Sequence, residues 1–370
     1  MKVIGIIGTH GKTSTVYILE HLFRENGKNV GTISDLGIRI NKNKVSCKTH
    51  NYEDIICEME ENNISYLIIE IHDKDTLDKI SFDCIIFCGF YTDDSQHASY
   101  SFYRQSLNYC KRIIVNADNE ESLKLCSGIK ELYTITYGLK NKSTVTASSV
   151  SIVQQNTKFN YCLQRGINSI NGQDIIVQEI PVETNMIGYQ NIYNTLSAIT
   201  AGLLFDLDIK KMLESLKNIK PIPNRLEIVS NNNIEILIDA AKDNYSIKIL
   251  FDTLQYMSYK KLYIAIFLNN FKTILNDSNN SIDEFVNDFI LIQGSNICII
   301  GNIDDINLNK KNKKKLFRGL ISNRIKFEYF LECTDYFNKL NSKFSKDDLL
   351  VWMGSRSKII QKNIKQTYEK

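Results

Sequence analysis

Gly5-Ile6-Ile7-Gly8-Thr9-His10-Gly11-Lys12-Thr13-Ser14 closes an apolar run from Val3 to Ile7 and opens a helical pattern from Thr13 to Phe23. A buried-type strand, a glycine-bounded turn and an amphipathic helix in that order aim backbone N–H groups and the positive end of a helix at one point. A lysine at the close of the turn adds a mobile cation for outer phosphates. The spacing departs from G-x-x-x-x-G-K-[ST], because Ile6 stands where the first glycine would be; the shorter Gly8-Thr9-His10-Gly11-Lys12-Thr13 remains. A fragment this short also occurs as a plain structural turn, and it is the flanking strand and helix that favour a nucleoside triphosphate.

The 370 residues exceed the size at which one core usually stops growing, so two domains are expected. Hydrophobic residues at 43% and charged residues at 24% match a soluble globular chain, and a formal net charge of +3 gives no sign of a nucleic-acid partner. No apolar run reaches the length of a membrane span, and the first residues form a strand in place of a leader, so a cytoplasmic protein is expected. Nine cysteines are scattered without a C-x-x-C pair, and Cys84 and Cys88 sit within apolar strands, which favours buried free thiols over zinc or disulfides.

Further along, Asn29 to Ile33 reads as a strand and Gly37 to Thr49 as a hairpin turning at Asn41 to Asn43. Strands at Tyr66 to Ile71, Asp83 to Phe90 and Arg112 to Asn116 alternate with helical patterns, which predicts a parallel sheet covered on both faces. Short β runs occupy Tyr133 to Ile187, and helices follow at Asn191 to Phe205 and Ile209 to Leu216. Pro221-Ile222-Pro223 marks a joint with a restricted backbone. Beyond it, strands are expected at Ile234 to Ala240, Leu262 to Phe267, Ile297 to Ile300 and Leu349 to Met353. The run Lys310 to Lys315 fits a solvated loop or helix start; an anionic partner is the other reading, and no aromatic residues interleave as a nucleic-acid platform needs.

Taken in order, Gly8-Thr9-His10-Gly11-Lys12-Thr13, Glu70 at a strand end, Asn116-Ala117-Asp118, Gly188-Tyr189-Gln190-Asn191-Ile192-Tyr193-Asn194, Pro223-Asn224-Arg225-Leu226-Glu227 and Ile238-Asp239 resemble the Mur ligases. That family makes amide bonds in peptidoglycan precursor synthesis at the cost of ATP, and includes folylpolyglutamate synthetase. The resemblance implies an α/β fold: a P-loop NTPase-like central domain with a parallel sheet over 1–222, then a C-terminal Rossmann-like domain over 223–370. It also leads to the expectation that the family's N-terminal UDP-binding domain is absent, so that the substrate differs from the standard UDP-linked precursor. The implied reaction activates a carboxylate of a small molecule or peptide as an acyl phosphate, which an amine such as an amino acid attacks, releasing ADP and phosphate.

Residue by residue, the resemblance assigns ATP to Gly8, Thr9, His10, Gly11, Lys12, Thr13 and Ser14, and Mg2+ to Thr13 and Glu70. Asn191 and Asn194 match asparagines that approach the nucleotide, although capping of the helix that begins there would also account for them. Arg225 and Asp239 match residues of the second domain that reach the phosphates on closure. Lys12, Glu70 and Arg225 are thus the catalytic candidates.

Several family positions are altered. The metal-binding histidine is replaced by Asp94, which could still hold Mg2+ through oxygen, with His97 as a shifted alternative. The carbamoylated lysine falls near Leu107, and no lysine lies between Lys79 and Lys111, so a second metal held by a carbamate is not expected. The serine pair after Glu70 is His72-Asp73. These changes leave open a rival reading, an ATP-binding subunit without ligase turnover that regulates or scaffolds a partner protein.

Overall fold

The computed structural model describes residues 1–45, 52–72, 80–90, 103–129, 131–153, 156–231, 234–267, 271, 281–292, 295–300, 310–331, 344–345 and 347–354. It divides into two compact units: Met1–Ser151 with Asn156–Lys220, and Pro221–Lys370 with Ile152–Gln155.

The first unit is built around one mixed sheet. Its strands are β1 (Lys2–Ile7), β2 (Val30–Ser34), β3 (Gly37–Ile40), β4 (Asn43–Lys44), β5 (Tyr66–Glu70), β6 (Cys84–Phe87), β7 (Arg112–Asn116), β8 (Tyr133–Tyr137), β9 (Val145–Val153) and β10 (Asn156–Leu163). The pair β11 (Ile167–Asn168) and β12 (Asp174–Ile175) stands apart, and β13 (Gln178–Thr184) completes the large sheet in the order β13-β10-β9-β8-β7-β6-β1-β5-β2-β3-β4. The strands from β2 through β8 around β1 are parallel, and the hairpin β3–β4 and the pair β10–β13 are antiparallel.

β1 lies between β5 and β6, and Ile4, Ile6 and Ile7 are fully buried. This explains the isoleucine at the place of the missing glycine: Ile6 is still a ladder residue, opposite Glu70 on one side and Ile86 on the other. The chain leaves the sheet only at Gly8. Truncating any of these isoleucines to alanine removes a fully buried side chain and should cost about 2–5 kcal/mol.

Helix α1 (Lys12–Glu25) follows, with Val16, Leu19, Leu22 and Phe23 buried at helical spacing on the sheet side. Phe23 packs edge-on against Tyr66 and Phe205 with centroids 4.8 and 5.9 Å away. Helices α2 (Tyr52–Glu61) and α3 (Glu120–Cys126) lie in connections between parallel strands, which need a crossover of this kind. Helix α4 (Tyr189–Leu204) is buried almost all round and packs along α1, and α5 (Ile209–Lys217) covers both. Asp208 caps α5, its Oδ1 accepting from Lys210 N at 2.8 Å and Lys211 N at 3.2 Å. Asp208→Ala should therefore lower stability by about 1 kcal/mol, read from a denaturant midpoint, with no change in nucleotide binding.

The second unit carries β14 (Glu227–Asn231), β15 (Ile234–Asp239), β16 (Leu262–Phe267), β17 (Asn296–Ile300), β18 (Phe327–Phe330) and β19 (Leu349–Met353), ordered β14-β15-β19-β16-β17-β18. All neighbours are parallel except β14–β15. Ile236, Ile238, Ala265, Cys298, Leu350 and Trp352 form the core of one face, with the Trp352 and Phe267 rings 4.4 Å apart. Helix α6 (Asn244–Leu254) begins in a capping box between Asp243 and Ser246, α7 (Ser281–Asp288) precedes β17, and α8 (Lys310–Ser322) precedes β18. The lysine-rich run is the start of α8, where Lys315 pairs with Asp283 at 2.8 Å.

Two sequence expectations were incomplete. The strands β14 and β18 were not anticipated; both are edge strands of the second sheet. Burial was expected of the cysteines; among the described residues it is found at Cys84, Cys88 and Cys298, whereas Cys110, Cys126 and Cys162 are half-buried and Cys57 is exposed. Cys47 and Cys333 lie outside those residues.

Candidate functional site

The turn after β1 is shaped by what surrounds it. Gly8 has φ +132, and a Cβ there would meet Gly89 O at 2.7 Å and Cys88 Cβ at 3.3 Å. Gly89 O accepts from Thr9 N at 2.9 Å, so the turn is pinned to the end of β6 at its first residue. Gly11 has φ +84 and is the N-cap of α1, with no side chain capping that end. A Cβ at Gly11 would stand 2.8 Å from Asn194 Oδ1. The first N–H groups of an α-helix have no intrahelical acceptor, and here no capping side chain takes them, so the turn suits an anion.

Three polar side chains converge at the mouth of this turn. Thr13 Oγ1 donates to Glu70, 3.1 Å from each carboxylate oxygen, and is 3.4 Å from Asp35 Oδ2. Lys12 Nζ donates back to Gly8 O at 3.0 Å and stands 3.9 Å from Glu70 Oε1. Glu70 is only 2% exposed. A buried carboxylate at a strand end, fixed by a hydroxyl and facing a lysine, suits a hard divalent cation shared with phosphate oxygens. His10 Nδ1 lies 3.1 Å from Thr9 Oγ1 on the rim, and Ser14 is half-buried in the first turn of α1.

Helix α4 forms the other wall. Thr15 Oγ1 is 3.5 Å from Asn194 Oδ1, and Gln190 Nε2 donates to the same oxygen at 3.5 Å. Asn194 Nδ2 donates to Asn191 Oδ1 at 3.1 Å, while Asn191 Nδ2 donates to Ile187 O at 2.8 Å. Asn191 is thus engaged with the chain just ahead of its helix, whereas Asn194 reaches the phosphate turn. From the adjacent position on the same helix, Tyr193 OH donates to Asp118 Oδ2 at 2.7 Å. Asp118 also accepts from the backbone N–H groups of Leu139, Lys140 and Asn141. Burial works to raise its pKa, but these donors outweigh it and hold the carboxyl below the usual aspartate value.

The sequence-derived residues Gly8, Thr9, His10, Gly11, Lys12, Thr13, Ser14, Glu70 and Asn194 therefore come together in the first unit. Asp94, His97 and Asp73 lie outside the described residues. Arg225 and Asp239 belong to the second unit and neighbour each other there. Asp239 is buried, its Oδ2 accepts from Leu226 N at 2.9 Å, and its backbone O accepts from Gly354 N at 2.8 Å. Within its own unit its carboxylate holds the turn at Asn224 to Leu226, where both of those residues have positive φ.

Burial pushes the Asp239 carboxyl up to about 6, against the hydrogen bond from Leu226 and the charge of Arg225. Between the ordinary aspartate pKa and about 6 the folded chain then binds more protons than the unfolded one, so this residue's contribution weakens as pH rises through that window. Asp239→Asn keeps an acceptor for Leu226 and removes the titration. The parent protein should lose stability relative to Asp239→Asn between pH 4 and pH 7, measured by denaturant midpoints; parallel curves would rule this out.

Two residues of the site were not assigned from sequence. Asp35, just past β2, donates its N–H to Glu70 Oε2 at 3.1 Å, and His72 Nε2 lies 3.6 Å from both Asp35 Oδ1 and Glu70 Oε1. The signal for Asp35 was available in the topology, since β2 and β5 are parallel neighbours with Ile33 opposite Ile69. A separate cavity of about 550 Å³ lies farther along α1, lined by Tyr17, Glu20, His21, Arg24, Lys211 and Glu214 among others, and none of the phosphate-turn residues faces it.

Comparison with known proteins gives a consistent picture. The model of the Mur ligase middle domain matches residues 6–202, which includes the turn, Glu70 and α4. The UDP-N-acetylmuramoyl-L-alanyl-D-glutamate--2,6-diaminopimelate ligase of Geobacillus thermodenitrificans is 24% identical over 289 residues, 72% of this chain and 57% of the relative. The chain thus spans a little over half the length of that relative. Among solved structures, the UDP-N-acetylmuramoylalanyl-D-glutamyl-2,6-diaminopimelate--D-alanyl-D-alanyl ligase of Acinetobacter baumannii aligns with a TM-score of 0.74 at 13% identity, covering 100% of this chain and 76% of the other. The folylpolyglutamate synthase of Thermotoga maritima aligns with a TM-score of 0.69 at 15% identity, covering 100% and 89%. At these identities the two structures establish the fold, a P-loop NTPase-like unit followed by a Rossmann-like one. Among the described residues, no helix is long and apolar enough to cross a membrane.

Proposed function

We propose, because the chain belongs to the Mur ligase family, that it is an ATP-dependent ligase joining a carboxylate to an amine. The reading is carried by one observation: a glycine turn packed against Gly89 and Asn194, with Lys12, Thr13 and buried Glu70 converging at its mouth. ATP is the substrate that fits this turn. The backbone from Gly8 to Ser14 would hold its phosphates, and Lys12 would leave Gly8 O to follow charge onto the leaving oxygens. Thr13 and Glu70 would hold Mg2+, which supplies charge neutralisation between the outer phosphates.

The sequence of bonds is that implied by the family. The carboxylate oxygen of the donor takes the γ-phosphoryl group, ADP departs, and the amine nitrogen then displaces phosphate from the acyl carbon. The chain's own residues orient and neutralise; none is required as a covalent nucleophile. Cys88 lies near the turn, but burial pushes its thiol up to about 11, which leaves it protonated and inert at neutral pH. The donor class is a small-molecule or peptide carboxylate, and the acceptor an amine such as an amino acid.

The test is phosphate release from ATP and Mg2+ by the full chain, with panels of carboxylates and amines and mass detection of the amide. A UDP-linked muramoyl peptide belongs in the panel. Release that requires both a carboxylate and an amine supports the proposal. Saturable ATP binding without release for any pair would favour a nucleotide-binding subunit that acts through a partner protein.

A further inference from the structure

We propose that the cavity of about 550 Å³ along α1 is a second ligand site, for a small dicarboxylate that carries a hydroxyl or ammonium donor. Its lining residues all belong to the first unit, and none of them is part of the phosphate turn. A volume of this order is that of a small-molecule site, with room left for water.

One wall of the cavity holds a buried carboxylate that is incompletely paired. Glu20 reaches the cavity from α1 and is only 2% exposed. Its Oε2 pairs with Arg39 Nη2 of β3 at 2.6 Å, but its Oε1 is buried with no hydrogen bond of normal geometry, and Arg39 Nε also finds no acceptor. Buried polar atoms are nearly always satisfied, so an orphaned carboxylate oxygen in a cavity wall points to a donor supplied from outside the chain. The last torsion of a glutamate is broad, and a small turn brings Oε1 to face the cavity. Burial pushes the Glu20 carboxyl up, and the charges of Arg39 and Arg24 and the Lys42 N–H offset this only in part. An O–H or N–H from a ligand completes the set.

The remaining charge selects an anion. Arg24 donates to Glu25 Oε1 at 2.7 Å and to His21 Nδ1 at 3.2 Å, and His21 Nε2 in turn donates to Ser215 O at 2.9 Å. That chain ties α1 to α5 and leaves Arg24 and Glu25 neutral as a pair. Lys42, Lys211 and Lys220 form no ion pair among the described residues, and they share the cavity with one unpaired acid, Glu214. Three lysines against one glutamate leave room for two negative charges. The lysines also come from separate elements: Lys42 stands in the β3–β4 turn, whereas Lys211 is on α5 and Lys220 lies just beyond it. The turn is fixed to β2, with Asn41 N donating to Val30 O and Val30 N to Asn41 Oδ1, each at 2.8 Å. Two carboxylates on a short carbon chain can answer both groups of lysines, which a single phosphate does not. Exposed lysines each contribute little alone, so the donor to Glu20 supplies the selectivity.

Calorimetry on the full chain at fixed ionic strength compares malate, aspartate and succinate, which share one carbon skeleton and differ by a hydroxyl, an ammonium or a hydrogen. Malate or aspartate is expected to bind one per chain, and succinate at least about tenfold more weakly, because it leaves Glu20 Oε1 without a donor. The tighter of the two identifies the donor. Lys42→Ala and Lys211→Ala are each expected to weaken binding by about threefold or more, with thermal midpoints near that of the parent because both side chains are exposed. A saturating ATP analogue with Mg2+ should leave the dicarboxylate in place. The proposal is overturned by succinate or inorganic phosphate binding as tightly as malate and aspartate, by binding unchanged in both lysine variants, by displacement with the ATP analogue, or by no binding at millimolar excess. Failure of the analogue itself to bind would count against the ligase reading alone.

Discussion

Lys12→Ala is expected to reduce substrate-dependent phosphate release from ATP by about two to three orders of magnitude, about 3–4 kcal/mol of transition-state stabilisation. The side chain is short of alternatives. It bridges Gly8 O at 3.0 Å and Glu70 Oε1 at 3.9 Å across the mouth of the turn, and it is largely screened from solvent. In phosphoryl transfer there is little covalent work for the protein to do, so a cation placed at the leaving oxygens carries a large share of the rate. Its loss also leaves buried Glu70 without its lysine partner, which should raise the affinity for a free dication even as turnover collapses. The check is initial phosphate release at saturating substrates, with thermal midpoints confirming that the variant folds. A loss of less than about threefold would mean that Lys12 is a structural strap over the turn.

Gly8→Ala carries the second large effect. A residue with a side chain at φ +132 is already strained, and the added carbon would stand 2.7 Å from Gly89 O, a backbone atom at the end of a buried strand. Neither partner can yield without disturbing the Thr9 N to Gly89 O bond that pins the turn. The expected cost is about 1–3 kcal/mol in stability, with a loss of ATP affinity on top because the N–H groups of the turn are re-aimed. Gly27→Ala is the control: it has φ +75 with nothing within 4 Å of the added carbon, so only the backbone term of about 1 kcal/mol should appear, and ATP binding should be unchanged. Equal effects at the two positions would show that close packing against Gly89 does not shape the cradle.

Much of this architecture was legible in the chain because the sheet strands are buried on both faces. Runs such as Tyr66 to Glu70 and Leu262 to Phe267 are continuous and apolar, and they stop where polar residues begin. The edge strands were harder. β18 is only four residues long and partly exposed throughout, and β14 runs into Asn231 to Asn233, whose polar character hid the antiparallel pairing with β15. The Asn-rich link between two β-prone runs was in fact the hairpin signal.

The phosphate turn was readable because its chemistry is local, all of it within ten residues. Asp35 and His72 were not, because their meaning depends on which strands are neighbours, and sequence order does not reveal that β5 lies between β1 and β2. His72 registered only as a departure from a familiar serine. Asp239 shows the opposite case. The motif position suggested a nucleotide contact, yet in its own unit the carboxylate is buried and bound to Leu226 N, a role invisible without the positive φ values at Asn224 and Leu226.

The central claim is that the turn from Gly8 to Ser14 is the seat of a triphosphate. A crystal structure of the full chain with a non-hydrolysable ATP analogue and Mg2+ tests it directly. The account predicts the β- and γ-phosphates against the N–H groups of this turn, Lys12 Nζ moved from Gly8 O onto phosphate oxygen, and the cation on Thr13 and Glu70. Phosphates bound at any other place, with Lys12 still on Gly8 O, would contradict it.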